Sequence, residues 1–376
     1  MHPASDASFL SQNACSIEQG VNRMATSSVA QLGVHYHEDQ PHSTRPNPLS
    51  ARSFCGRLDG LSSGQTRICE LFVDHMPSVG QGARGAIQEC QWQFKDKRWN
   101  CSTPYGSGAF GPVHILGTRE AAFTYGIISA GVAHEIGRSC RMGLLQTCSC
   151  SKAKRPSSLP ADWSWGGCGD NLQYGYEFSR NFIDVREKEH SHPKRSTKHG
   201  RSLMNRWNNE AGRRIVKRMT RPHCKCHGVS GSCNLKTCWR QLPDVREVGD
   251  NLIRKYRQAV RVKINAFGNL QMMDPKRDRK AVNVRRRKSA RKVDLVYLEE
   301  SPDYCQQNRS VGTMGTQGRL CNKTGSGVDS CEVLCCGRGY NTVKEVVKSK
   351  CDCKFVWCCR VVCNTCYNEV SNHICK

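Results

Sequence analysis

The chain has 376 residues, 57 Lys plus Arg against 32 Asp plus Glu, a formal net charge of +25 and 25 cysteines. Mean hydropathy is −0.61, and no stretch approaches the ~20 apolar residues of a spanning helix, so the sequence does not read as an integral membrane protein. Cysteine at this density indicates an oxidising compartment, and the length gives room for two domains.

Residues 1–53, rich in Ser, His and Pro, show no periodicity and read as a disordered or uncertain leader. Residues 1–20 also lack the apolar run of roughly 7–15 residues found in a secretory signal. Either the sequence lacks its true N-terminus or the oxidising compartment is misread. Three glycan acceptor sequons, at Asn100, Asn308 and Asn322, favour the first explanation.

From residue 54 the pattern becomes helical. Stretches near 61–76, 83–95 and 118–137 are expected helices, interrupted by Pro77 and several glycines. Three amphipathic faces follow. Tyr174, Phe178, Phe182 and Val185 form one, Met204, Trp207, Ala211, Ile215 and Met219 the second, and Val245, Val248, Leu252 and Tyr256 the third. Lys276–Lys292 then places ten Lys or Arg in seventeen residues with no aromatic, the composition of an exposed linker. Outside the cell the matching polyanions are sulfated glycosaminoglycans, bound by the counterion release that governs DNA binding. Arg285, Arg286, Arg287 and Lys288 are therefore candidate heparan sulfate contacts. Val293–Leu298 is the clearest strand, and beyond it the cysteines are dense enough that bridges must replace a hydrophobic core.

The cysteines divide in the same way. Apart from Cys15, twelve lie between Cys55 and Cys238, none in 239–304, and twelve between Cys305 and Cys375. The expected fold is α+β and disulfide-rich. A mainly helical N-terminal domain (54–270) carries a stapled hairpin, a basic linker spans 271–292, and a small cysteine-rich β-hairpin domain covers 293–376.

Two nested cysteine sets mark hairpins, because partners on antiparallel strands have a nearly constant sum of residue numbers. Cys351 with Cys366, Cys353 with Cys363 and Cys358 with Cys359 share such a sum, giving a long hairpin with a vicinal bridge or thiol pair at its tip. Phe355, Val356, Trp357, Val361 and Val362 near that tip either mark a partner site or fold back onto their own domain. In the other set, Cys226 with Cys233 nests inside Cys224 with Cys238 and holds out a loop, His227–Ser232. Gly228 and Gly231 flank Ser230 and leave its hydroxyl open to approach by another molecule. The bland role for Ser230 is to cap a turn. A hydrolase elbow needs glycine where Ser232 stands. Cys363-x2-Cys366 and the C-x-C-H at 224–227 offer zinc ligand types, so the alternative function is a basic zinc protein that binds nucleic acid.

The segment CKCHGVSGSC at 224–233 resembles the signature of the Wnt family of secreted, lipid-modified signalling ligands. ECQWQFKDKRWNCS at 89–102, WGGCGDN at 165–171, RSLMNRWNNEAGR at 201–213, DLVYLEESPDYC at 294–305, GRLCNKT at 318–324, CCGRGY at 335–340 and CDCKFVWCC at 351–359 are similar to it as well. GLSSGQTRICELFVDHM at 60–76 resembles the β-catenin-independent subfamily. The resemblance implies a ligand rather than an enzyme, with no metal and no cofactor beyond a covalent monounsaturated fatty acyl chain on Ser230, attached by a membrane-bound O-acyltransferase. It implies a Wntless-type carrier, secretion to the extracellular space and matrix, co-receptors of the LRP or ROR type, heparan sulfate proteoglycans as partners and no nucleic acid. Frizzled receptors would be gripped by the acylated thumb loop and by an index finger, with Phe355, Trp357, Cys358, Cys359 and Val361 in contact. The implied bridges are Cys90 with Cys101, Cys140 with Cys148, Cys150 with Cys168, Cys224 with Cys238, Cys226 with Cys233, Cys305 with Cys336, Cys321 with Cys331, Cys335 with Cys375, Cys351 with Cys366, Cys353 with Cys363 and Cys358 with Cys359. These leave Cys15 over, with Cys55 and Cys69 able to pair.

Overall fold

The structure, a computed structural model, describes residues 48–102, 114–189, 191–273 and 290–376. Its helices are α1 (Pro48–Gly56), α2 (Ser63–Leu71), α3 (Met76–Phe94), α4 (Arg119–Arg141), α5 (Leu172–Asp184), α6 (Thr197–Met219), α7 (Val245–Arg257) and the short α8 (Cys331–Leu334). Most begin on a side chain suited to satisfy the first free N–H groups. Ser62 forms a capping box with Gln65, and Thr118, Asn171, Ser196 and Asp244 cap α4 to α7. Pro77 does not interrupt a helix. It falls in the first turn of α3, where its missing N–H costs nothing.

The described chain forms two compact units, one running to Gln93 and from Thr103 to Ser301, the other comprising Phe94–Ser102 and Pro302–Lys376. In the first, α4 is the central helix, buried along nearly its whole length and packed on α5, α6 and α7. Small residues permit this. A Cβ added to Gly212 of α6 would stand 1.9 Å from the Gly126 carbonyl oxygen of α4, so the two backbones touch. Beside that crossing, Ser129 Oγ donates to the Asn209 carbonyl at 2.7 Å. Phe123, Ile127 and Ile136 are buried from the same helix, each stabilising by roughly 1.5–3 kcal/mol.

This division differs from the boundary expected at residue 293. The strand expected over Val293–Leu298 is only Val296–Tyr297, and it pairs in parallel with Val260–Ile264. Asn208 of α6 fastens it, its amide group donating to the Val296 carbonyl and accepting from the Val296 N–H at 2.9 Å each. Conversely, Arg319 donates to the carbonyls of Lys95, Lys97 and Arg98 at 2.7–2.8 Å, which holds 94–102 in the second unit.

In the second unit Cys331, Leu334, Cys335 and Cys375 form one small core cluster, and Phe94, Trp99 and Tyr304 are buried as well. Bridges supplement this limited core. Those described are Cys305–Cys336, Cys321–Cys331, Cys335–Cys375, Cys351–Cys366 and Cys353–Cys363. In the first unit they are Cys55–Cys69, Cys140–Cys148, Cys150–Cys168, Cys224–Cys238 and Cys226–Cys233. Cys90 and Cys101 are also disulfide-bonded. The Cys55–Cys69 bridge, left open by the sequence, ties α1 to α2 inside the core.

Candidate functional site

Two hairpins carry the residues singled out by sequence. In the first unit, Arg221–Cys226 pairs antiparallel with Lys236–Gln241, Cys224 directly opposite Cys238. Ser164–Trp165 adds a short parallel strand on the outer side of Lys236–Gln241. The base is fixed to the bundle through Asp170, which accepts from the Leu242 N–H at 2.8 Å and pairs with Arg141 of α4 at 2.9 Å.

Beyond Cys226–Cys233 the loop satisfies its own backbone. His227 N–H donates to Leu235, Gly228 to Ser232, Gly231 to Gly228 and Ser232 to Val229, at 2.8–3.1 Å. The tightness demands Gly228, since a Cβ there would lie 1.9 Å from Ser232 Oγ and 2.5 Å from the Ser232 carbonyl oxygen. Ser230 sits at the turn with φ 56° and ψ 26°, a left-handed conformation costing a side-chain-bearing residue about 1–2 kcal/mol. It is exposed, and no residue described hydrogen-bonds its hydroxyl. Val229 beside it is 90% exposed. Among the described residues, no histidine or carboxylate is bonded to the hydroxyl to activate it as a nucleophile.

In the second unit, Tyr340–Val356 and Arg360–Cys375 form an antiparallel hairpin much longer than the Cys351–Cys366 span inferred from sequence. Pairing runs unbroken from Tyr340 opposite Cys375 to Cys351 opposite Asn364, then shifts before Lys354 opposite Val362. Asp352, at φ 48°, makes the irregularity. Cys351–Cys366 is thus a diagonal staple, because Cys366 lies directly opposite Ser349. At the tip Cys358 and Cys359 both have positive φ, 68° and 81°, and reverse the chain. Phe355 is 67% exposed and Trp357 91%, and Val356, Val361 and Val362 are exposed too. The tip does not fold back onto its unit.

The expected Cys358–Cys359 bridge is absent. Both are exposed free thiols with their sulfurs 3.8 Å apart, well beyond the ~2.05 Å of a disulfide. A bridge between neighbours closes a strained eight-membered ring, whereas here the turn conformation sets the two sulfurs apart.

A profile of the wnt family matches residues 57–376. Protein Wnt-2 of Caenorhabditis elegans is 59% identical over 319 residues, 85% of this chain and 87% of the relative. Protein Wnt-5a of Mus musculus is 51% identical over 328 residues, covering 87% and 84%. The chain belongs to the Wnt family. Family members are signalling ligands, not enzymes, and need no cofactor. The Wnt-5 relatives fit the β-catenin-independent subfamily. A solved structure, human WLS in complex with WNT8A, matches with TM-score 0.54 and 36% identity over 80% of this chain and 94% of that one.

The zinc alternative finds no support. The sulfurs of Cys321, Cys335 and Cys375 cluster closely enough to suggest a metal, as do those of Cys351 and Cys366 beside Asp352. All five cysteines are consumed in bridges, so neither cluster offers a thiolate to zinc.

Asn308 and Asn322 are exposed, and each side-chain oxygen accepts from the backbone N–H and hydroxyl two residues on, Ser310 and Thr324. Asn100 is half-buried and accepts from the Ser102 N–H. Arg285, Arg286, Arg287 and Lys288 lie outside the described residues, as does Cys15.

Sequence reading missed a polar cluster. His75, fully buried, bonds Asp74 Oδ1 and the Tyr174 hydroxyl at 2.8 Å each and stacks on Phe178. Burial pushes the Asp74 carboxyl up, but the hydrogen bond and charge of His75 outweigh it and hold the group below its ordinary range. Tyr174 opens onto a cavity of about 610 Å³ that Lys152, Lys217 and Arg240 also line. The adjacent Asp74-His75 was the one available signal, and a polar pair beside a helix usually marks surface.

Proposed function

We propose that this Wnt is secreted, carries a monounsaturated fatty acyl chain on Ser230, and binds the cysteine-rich domain of Frizzled receptors at two places. The observation that carries this reading is Ser230 itself, exposed at φ 56° on a loop closed by Cys226–Cys233. One acyl chain gives only marginal, reversible membrane affinity, so the lipid can pass between an O-acyltransferase, a Wntless-type carrier and a receptor groove. The WNT8A complex with WLS supports the carrier step. The second contact is the exposed tip around Phe355, Trp357, Cys358, Cys359 and Val361. Glycans on Asn308 and Asn322 fit their exposure, and the sequon at Asn100 is a third acceptor. Co-receptors of the LRP or ROR type complete the signalling assembly, and heparan sulfate held by Arg285, Arg286, Arg287 and Lys288 retains the ligand in the matrix.

Acyl labelling in secreting cells tests the reading. Ser230→Ala should abolish labelling and strongly reduce signalling. A mutant labelled as fully as the parent would overturn the assignment.

A further inference from the structure

Among the described residues, no strand pairs with the outer edge of the long hairpin. Its sheet has the order Tyr340–Val356, Arg360–Cys375, Leu320–Cys321, so Tyr340–Val356 is a terminal strand along its whole length. The pairing phase fixes which backbone groups it leaves open. Lys376 N–H donates to the Gly339 carbonyl at 3.1 Å, while Cys375 N–H turns the other way to Arg319 at 2.9 Å. Alternation from that pair directs the N–H and C=O of Thr342, Lys344, Val346, Lys348 and Lys350 away from the hairpin, towards solvent. The same five side chains share one face and are all exposed. Lys344 pairs with Glu369 at 2.8 Å, whereas no ion pair is described for Lys348 or Lys350.

We propose that this edge is a β-augmentation site for an acidic, extended segment of a partner protein. An added antiparallel strand would make the main-chain hydrogen bonds that the edge lacks, and these give affinity irrespective of sequence. Side chains directly opposite the lysines would fall on the lysine face. The fitting segment therefore carries acidic residues opposite Lys350, Lys348 and Lys344 and an apolar β-former opposite Val346, with one free position between each. Lysines on an edge also block pairing between like strands, and a second copy of this hairpin would set cation against cation. Charge thus selects the acidic partner over self-association. The site is separate from the tip residues assigned to the receptor.

The test uses the full-length protein and a fluorescent, end-capped peptide Glu-Thr-Glu-Thr-Val-Thr-Glu, followed by anisotropy. Saturable binding is expected. The same peptide N-methylated at the N–H groups that face the edge keeps its charge and should bind at least about tenfold more weakly. Lys348→Glu combined with Lys350→Glu should lower affinity by a similar factor, two like-charge pairs replacing two opposite ones, and a peptide with lysine in place of glutamate should recover it. Equal binding of the N-methylated peptide would reduce the contact to plain electrostatics and overturn the proposal, with no variant needed. So would absence of saturable binding, or a dimer of the chain that the peptide disrupts, which would assign the edge to a second copy.

Discussion

Arg213 of α6 and Asp184 at the end of α5 form a buried ion pair, the guanidinium nitrogens 2.8 and 3.1 Å from the two carboxylate oxygens. Arg213 is wholly inaccessible to solvent. Asn209 donates to the same carboxylate at 2.9 Å, and Glu210 stands 3.4 Å from the guanidinium. Removing one member leaves a charge without its counterion in the packed bundle, at a cost of about 3–5 kcal/mol. Arg213→Met should therefore lower the urea midpoint and the secreted yield. Adding Asp184→Leu should recover part of the loss, because the stranded charge is gone. Additive losses in this double-mutant cycle would show that the two residues act independently.

Gly228→Ala tests whether loop geometry shapes the acyl acceptor. A methyl group placed 1.9 Å from Ser232 Oγ and 2.5 Å from the Ser232 carbonyl must displace the turn, a cost on the order of 1–3 kcal/mol. Acylation per molecule secreted should fall several-fold although Ser230 is intact. Unchanged labelling would mean that the transferase accepts any exposed serine at that position.

Trp357→Ala should leave secretion and acylation unchanged, since the indole is 91% exposed and contributes little to folding. Binding to a Frizzled cysteine-rich domain should weaken at least about tenfold, as truncating an aromatic anchor commonly does. Normal affinity of the secreted mutant would leave the acyl loop as the sole anchor.

Glu89 gives a pH-dependent prediction. Burial raises its carboxyl above the ordinary range, against the opposing hydrogen bond from Gln93 and the charge of Arg246. The folded chain then holds a proton that the unfolded chain has already released, so this group's contribution declines as pH rises through the window above the ordinary glutamate value. Glu89→Gln removes that dependence. The mutant should gain stability relative to the parent at pH 7, and the gain should shrink towards pH 4 in urea melts under non-reducing conditions. A gain independent of pH would exclude ionisation as its source.

Periodicity made the bundle legible. The faces ending at Val185, Met219 and Tyr256 correspond to α5, α6 and α7, because apolar spacing of 3.6 survives wherever a helix buries one side. Nested cysteine sums located the thumb and finger but not the finger's length. From Tyr340 to Lys350 neither face of that hairpin is buried, so no alternation was available to mark the strands. The diagonal placement of Cys351–Cys366 was equally hidden, since a bulge at Asp352 leaves no compositional trace. Arg213, Asp184 and His75 were invisible for the opposite reason. Charged side chains read as surface unless their partners are known, and here the partners come from other segments.

A β-ribbon with water on both faces has no interior to hold it together. Cys351–Cys366 and Cys353–Cys363 take over that role, and a covalent cross-link answers to electron supply rather than to heat or solvent. The finger should consequently lose its shape in a reducing medium while the helical bundle, with its side-chain core, persists. One molecule thus has two parts that fail under different conditions: reduction alone undoes the ribbon, while the bundle comes apart only when its apolar core opens as well.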